Sequence, residues 1–537
     1  MLPDVLVTAR AAAARHDWPA AAELLEAARL DDPEADAQRL DLLATVLWWL
    51  GRLEESIEAG EEAYRLHEES GDVRAAGYAA VWLYERNCQH ARPSIGSAWL
   101  QRARRALDGD DECVEFGSLI LREAELGHGG GRLVEARERA EEALALGRRL
   151  GSVDLEAEAL QTIGRILIDE GDIDGGLAHL DEAMLLAVEG RLGPYATGKV
   201  YCSMISACED VGDLRRADEW TEATTRWTQR HPMAIFPGIC RLHHGVVLDR
   251  RGDLVDAERE LSQACDELVD RHLAAAASAY AEVGDIRRRL GELDRAEEAF
   301  ARAEELSGGA CTGTALLRLA QGRVDAAVRI ITGCMAGQSP NPLGRARGLP
   351  AHAQILIAAG DLEGARASVE ELEATADSFG TAQLHAMAAL ARGRLQLAEG
   401  QAEAAAIALR EAVRRWTELE VPYEGATART LLAQALRDSG DEDGARECFA
   451  AARALFDQVG ARLEIEDGPG EILPNGLTAR EAEVLRLIAT GLSNKDIAAA
   501  LHLSVKTVSR HLSNIFTKIG VSSRAAATAF AFEHELV

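Results

Sequence analysis

Aromatic residues are scarce in this 537-residue sequence, where Phe, Trp and Tyr together make up 4%. Alanine, leucine, glutamate and arginine dominate instead, which disfavours β-sandwiches and favours helices packed through small and branched aliphatic side chains. With 47% hydrophobic residues, the chain is expected to be globular and almost all-α. Positive charge is short as well: 58 Lys and Arg stand against 89 Asp and Glu, a net charge of −31. A protein that coats nucleic acid with its whole surface is thereby excluded, because most of that surface would repel phosphate. Cysteine shows no framework. The nine (88, 113, 202, 208, 240, 265, 311, 334 and 448) include no CxxC pair, and free thiols in a reducing compartment are expected. Long apolar runs are missing too. The longest, Ala75 to Tyr84, is ten residues, too short for a bilayer span, and Asp4 precedes any basic leader region, so a cytoplasmic protein without membrane contact is expected.

Chemical motifs are equally sparse. There is no serine nucleophile elbow, no HExxH and no paired metal-binding motif, so neither enzymatic activity nor a metal or cofactor is expected. No α/β receiver-like segment is present, which argues against phosphorelay control. One partial phosphate loop runs from Gly193 to Lys199, but Val200 stands where a Ser or Thr should hold magnesium and no buried strand precedes it. An inter-repeat turn is the expected reading there.

What the sequence does have is a repeat. The pattern Gly-polar-apolar-x-x-Ala starts at Gly51, Gly131, Gly171, Gly212, Gly252, Gly291, Gly322, Gly360, Gly400 and Gly440, with Ser56 and Gly176 in place of alanine in two copies. Most intervals are close to 40 residues; one is 31, and the gap of 80 after Gly51 leaves one unit without the signature, around Cys88 to Leu100. Around each glycine an apolar stripe at helical spacing stops and another resumes, as with Leu160, Ile163, Ile166 and Leu167 before Gly171 and Leu177, Leu180, Met184 and Leu185 after it. That is a helical hairpin. A single hairpin cannot bury its stripe, so neighbours must stack into a solenoid with a concave surface. Residues 1–465 therefore resemble the tetratricopeptide class in its longer-period form, as found behind the ATPase module of MalT-like large LuxR regulators; that module is absent here. The resemblance implies a platform for protein or small-molecule effectors.

Charge shifts at the end of the chain. Residues 477–537 carry seven Lys and Arg against five Asp and Glu, leaving −33 on residues 1–476. A Gly- and Pro-rich stretch, 466–476, is expected to be a linker. Beyond it, Thr478 and Glu481 give a capping-box signature ahead of Val484, Leu485 and Ile488, ending at Gly491. Ser493 caps a short second helix with Ile497, Ala498 and Leu501 inward. Ser504 caps a third, in which Val505, Val508, Leu512, Ile515 and Ile519 share one buried face. A fourth starts near Ser523. The order resembles the LuxR, or GerE-type, DNA-binding domain, and implies a helix-turn-helix at 493–512. By that resemblance Lys506 and Thr507 lie near phosphate, Ser509, Arg510 and Ser513 point to base edges, Asn514 and Lys518 point to the backbone, and Lys495 joins the DNA-facing set. Glu481 is expected to act as a cap. Ala525, Ala526, Ala529 and Phe530 form the expected pairing surface of a homodimer. Where family members often carry lysine, this sequence has Ser509 beside Arg510.

The resemblance implies double-stranded DNA as a partner, with RNA polymerase or another protein as a further one. A possible effector pocket is marked by Tyr195, Tyr201, Trp220, Trp227, Phe236 and His243, gathered in an otherwise aromatic-poor chain; the plainer reading is that they fill a wide layer of the solenoid. Two functions compete. In one, a solenoid that senses a signal governs a sequence-specific DNA-binding tail, which the acidic solenoid could mask. In the other, the solenoid is a scaffold and the tail a minor or vestigial anchor.

Overall fold

The computed structural model describes residues 4–230, 236–307, 311–337, 341–461, 479–500, 508, 511–512, 515–516, 518–521, 523–534 and 536. Between Asp4 and Val459 the described chain folds into twelve helical hairpins, with one extra short helix, Pro342–Ala346, ahead of the tenth. The expected all-α, TPR-like solenoid is what forms.

The sequence signature maps onto the turn inside each hairpin. All ten signature glycines have positive φ, between 73° and 95°, the left-handed conformation that ends a helix without a Cβ penalty. The residue after the glycine often starts the next helix: Asp172, Asp361 and Asp441 accept from the amide three residues on at 2.9–3.0 Å. The signature alanine is the contact point of the hairpin. Ala217, Ala257, Ala296, Ala327, Ala365, Ala405 and Ala445 are all fully buried. In the copy that has Gly176 instead, a Cβ would meet the Gly164 carbonyl oxygen at 2.6 Å, so the helices there approach too closely even for alanine.

The unit without a signature is present all the same. Ala91 takes φ 55° at the turn, with Ala91 N donating to Cys88 O and Arg92 N to Asn87 O. The same pair of bonds closes the turn at Gly131, from Gly131 N to His128 O and Arg132 N to Gly127 O. The 31-residue interval reflects a first helix of only ten residues, Cys311–Ala320.

Successive first helices pack on one another along the solenoid, whereas successive second helices touch sparsely. The first helices therefore line the concave side. The solenoid also winds tightly enough that one superhelical turn meets the next. Trp48 packs edge-on against Tyr195 and Trp49 lies 6.0 Å from Phe236. Arg250 pairs with Glu424, Arg289 sits over the Tyr423 ring, and Arg347 pairs with Asp210. These partners are more than a hundred residues apart, unlike a solenoid in which each repeat touches only its neighbours.

Seven cysteines, 88, 113, 202, 208, 240, 265 and 448, are free thiols. Cys334, half-buried on the helix Val324–Gly337, is disulfide-bonded. This corrects the expectation of free thiols throughout: no CxxC spacing announces the pairing of Cys334. Among the described residues no helix is long and apolar enough to cross a membrane.

Candidate nucleic-acid interface

The tail builds a small core of its own. The helix Ala479–Ala489 buries Val484, Leu485 and Ile488, the helix Asn494–Ala500 buries Ile497 and Ala498, and the 508–519 segment contributes Val508, Leu512, Ile515 and Ile519. Ala527, Phe530, Ala531 and Leu536 from the final helix, Arg524–Glu533, and its end complete the cluster. From Val484 to Ile519 these are the residues whose periodicity marks them as inward-facing in the sequence, whereas those of the final helix are not so marked; Leu501 and Val505 lie outside the described residues. Several described helix ends have a physical stop. Gly491 and Gly520 take φ 86° and 70°. Ser493 accepts from Asp496 N at 3.3 Å while Ser493 N donates back to the Asp496 carboxylate at 3.2 Å, a reciprocal cap. Ser523 caps the final helix through Ala526 N at 3.2 Å.

Polar bonds fix how the helices sit. Arg524 donates to Asn494 Oδ1 at 2.9 Å and to the Leu492 carbonyl, tying the last helix to the turn that opens the second. Arg486 Nε donates to Leu536 O at 2.9 Å. Lys518 Nζ lies 2.7 Å from the carboxylate of Glu481, which is 4% exposed. Glu481 thus joins the first helix to the residues around Lys518; its expected cap partner Thr478 lies outside the described residues. No spacing rule reaches across the 37 residues between Glu481 and Lys518, and the sequence reading missed this pair.

Of the expected DNA-facing set, Lys495 is exposed in the first turn of the second helix and Lys518 is exposed just before Gly520. Lys506, Thr507, Ser509, Arg510, Ser513 and Asn514 lie outside the described residues. In the final helix Ala525 and Ala529 are exposed, but Phe530 is buried against its own domain and packs on His534 at 4.2 Å. Phe532, 59% exposed, continues the Ala525–Ala529 stripe instead.

Residues 475–531 match the model of the bacterial regulatory proteins of the luxR family. The C-terminal segment is a LuxR-type helix-turn-helix domain. Residues 277–308 match a tetratricopeptide repeat model. The chain is 41% identical over 114 residues to response regulator Rre1 of Synechocystis, covering 21% of this chain and 49% of that protein. It is 51% identical over 61 residues to response regulator protein VraR of Staphylococcus aureus, covering 11% of this chain and 29% of that protein. The chain thus spans about half or less of the length of these relatives. Among solved structures it is similar to the Cut9–Hcn1 assembly at a TM-score of 0.38, 14% identity and coverage of 83% of this chain and 92% of that one. A tetratricopeptide repeat protein from Parabacteroides merdae aligns at 0.31 and 16% identity, over 55% of this chain and 98% of that one.

The aromatic residues marked as a possible effector pocket are brought together, but by packing on one another. Tyr201 meets Trp220 and Trp227 at 6.2 and 5.9 Å, Trp227 meets Phe236 at 5.6 Å, and Trp49 extends the row. Tyr201 and Phe236 are buried. Tyr195 lies one step away, against Trp48 and hydrogen-bonded to Arg86 at 2.9 Å. His243 is 3.4 Å from Glu209. Among the described residues no cluster of three or more His, Cys, Asp or Glu is placed to hold a metal ion.

Lys199, the lysine of the partial phosphate loop, lies inside the helix Pro194–Val211. It pairs with Glu158 at 2.9 Å and Glu125 at 3.3 Å, next to Arg122, which bridges Glu85 and Glu158 at 2.5 Å each. Burial pushes the Glu85 carboxyl up, yet Arg122, Lys199 and Arg86 hold it at about 2. This is an internally compensated ion network on the concave side, not a phosphate cradle.

Proposed function

We propose that this chain is a sequence-specific DNA-binding transcription regulator whose solenoid receives the signal and whose C-terminal domain contacts duplex DNA. The observation that carries the reading is the match of residues 475–531 to the luxR-family model, supported by a closed apolar core that leaves Lys495 and Lys518 outward. In this reading Lys506, Thr507, Asn514, Lys518 and Lys495 hold phosphates and fix register, while Ser509, Arg510 and Ser513 read base edges in the major groove. Residues 1–465 form the regulatory unit, 466–476 the linker and 477–537 the DNA-binding unit. The exposed stripe Ala525, Ala529 and Phe532 is the pairing surface of a homodimer on a two-fold symmetric site. The concave face of the solenoid takes a protein partner or small effector, and RNA polymerase is the downstream contact.

The test is selection from random duplex DNA by the full chain at two salt concentrations, with Arg510→Ala alongside. A shared, roughly symmetric enriched site that loses its preference in the variant supports the reading. Absence of enrichment at either salt moves the chain to the scaffold class, with the tail a minor anchor.

A further inference from the structure

Between the second helices Pro93–Ala106 and Leu133–Leu150, over the end of the first helix Val114–Gly129, the solenoid opens a cleft of about 580 Å³. Successive second helices touch sparsely, which leaves room for it. Four arginines line it, Arg104, Arg105, Arg132 and Arg139, against two carboxylates, Glu123 and Glu135. That balance is the reverse of the chain's, which has 58 Lys and Arg to 89 Asp and Glu. Both carboxylates are already engaged: Arg104 forks onto Glu123, with its Nε at 2.8 Å, and Arg132 lies 3.2 Å from Glu135. Arg139 pairs at 3.0 Å with Glu142, which does not line the cleft, and exposed Arg105 makes no ion pair among the described residues. The cleft therefore holds a surplus of two positive charges. Arg104 is also held from behind, 5.7 Å over the Phe116 ring, so its guanidinium is placed in advance. The floor is apolar. Leu100 and Ala136 are buried in it, while Leu126, a leucine inside a cleft, stays 46% exposed.

A guanidinium fork matches the oxygens of a phosphate, and two surplus charges match a dianion. A phosphate monoester carries about −1.5 to −2 at neutral pH. The screening length of about 8 Å at physiological salt lets the arginines lining the cleft outweigh the acidic surface farther off. The volume falls within the range of small-molecule sites, about 300–1,000 Å³, which combine apolar walls with a few placed polar groups. It exceeds what a phosphate alone would fill, and Leu126 gives the remainder an apolar surface to cover. We propose that this cleft binds a small-molecule phosphate monoester with an apolar body, the phosphate taken by Arg104, Arg105 and Arg139 and the body laid on Leu126. The aromatic row around Tyr201 contributes nothing to it. The proposal concerns the solenoid alone and stands whether or not the tail binds DNA.

The probe is 2-naphthyl phosphate, titrated into the full chain at neutral pH and physiological salt by isothermal calorimetry, beside 2-naphthol, 2-naphthoate and inorganic phosphate. The expected result is one-to-one binding at least tenfold tighter than that of each comparator, with slower hydrogen exchange in peptides covering 93–106 and 123–139. Arg105→Gln, at an exposed residue with no ion pair to lose, weakens it at least fivefold, and so does Leu126→Ala, with circular dichroism unchanged in both. Arg215→Gln, which removes one charge from an exposed site elsewhere, leaves it unaltered. No binding of 2-naphthyl phosphate at millimolar concentration, or equal losses in Arg105→Gln and Arg215→Gln, would overturn the site. Equally tight 2-naphthoate or 2-naphthol would overturn the assignment to a phosphate, and equally tight inorganic phosphate the assignment of an apolar body.

Discussion

Replacing Ala91 by glycine should tighten the third hairpin. Ala91 holds φ 55° with the same turn hydrogen bonds as Gly131, so its Cβ bears the steric cost of the left-handed region, about 1–2 kcal/mol. Glycine's larger freedom in the unfolded chain gives back about 0.4–1 kcal/mol, leaving a net gain of about 0.5–1 kcal/mol. The mirror experiment is Gly400→Ala: φ is 74° and a Cβ there would meet nothing within 4 Å, so only the backbone term operates and the loss should be of similar size. Because a repeat array does not unfold as one unit, the assay must be local. Hydrogen exchange of peptides covering 80–100 and 390–410 should show opening about two- to fivefold rarer in Ala91→Gly and correspondingly commoner in Gly400→Ala. If Gly400→Ala changes exchange and Ala91→Gly leaves it unchanged or worsens it, the backbone argument for the unsigned repeat fails.

Arg510→Ala should cost about 1–3 kcal/mol of specific binding and relax base preference at one position, measured by competition binding. Lys518→Ala should weaken all sequences alike and lower the salt slope by about one; since it also removes the ion pair with Glu481 at 2.7 Å, the domain should melt at a lower temperature. Burial beside Asp249 and Asp285 pushes the Glu282 carboxyl up to about 7 despite Arg250. A raised carboxyl favours the folded state below its unfolded value of about 4.5 and loses that advantage as pH rises through about 7, so Glu282→Gln should stabilise the protein at pH 8 by about 1–3 kcal/mol and have little effect at pH 4, read from thermal melts at both values. Arg122→Leu leaves Glu85 and Glu158 without their bridge and should cost about 3–5 kcal/mol locally, seen as faster exchange in the helices Val73–Gln89 and Val153–Glu170.

The hairpins were legible because their determinants are local: a glycine that must go left-handed, an alanine that must be small, an apolar stripe that changes phase. The unit at Ala91 was not, since there the same turn is made by a residue that merely tolerates it. The tail's core was legible for the same reason, from Val484 to Ile519. Arg524 with Asn494 and Lys518 with Glu481 depend on how three helices cross, and no periodicity encodes that. Phe530 was assigned to a pairing surface because an apolar residue on a short helix can face either way; the fold turns it inward and leaves Phe532 out. The aromatic group around Tyr201 was visible as an enrichment, but its partners Trp48 and Trp49 come from a segment some 150 residues earlier, brought there by superhelical winding.

That winding gives the molecule the character of a coil spring whose coils touch. Trp49 against Phe236, Arg250 against Glu424 and Arg347 against Asp210 act as latches between coils, and none of them belongs to the packing within a hairpin. Losing a latch would therefore leave the contacts inside each hairpin in place. A partner that wedged between two coils would then act at once on segments more than a hundred residues apart, without any relay through the intervening repeats.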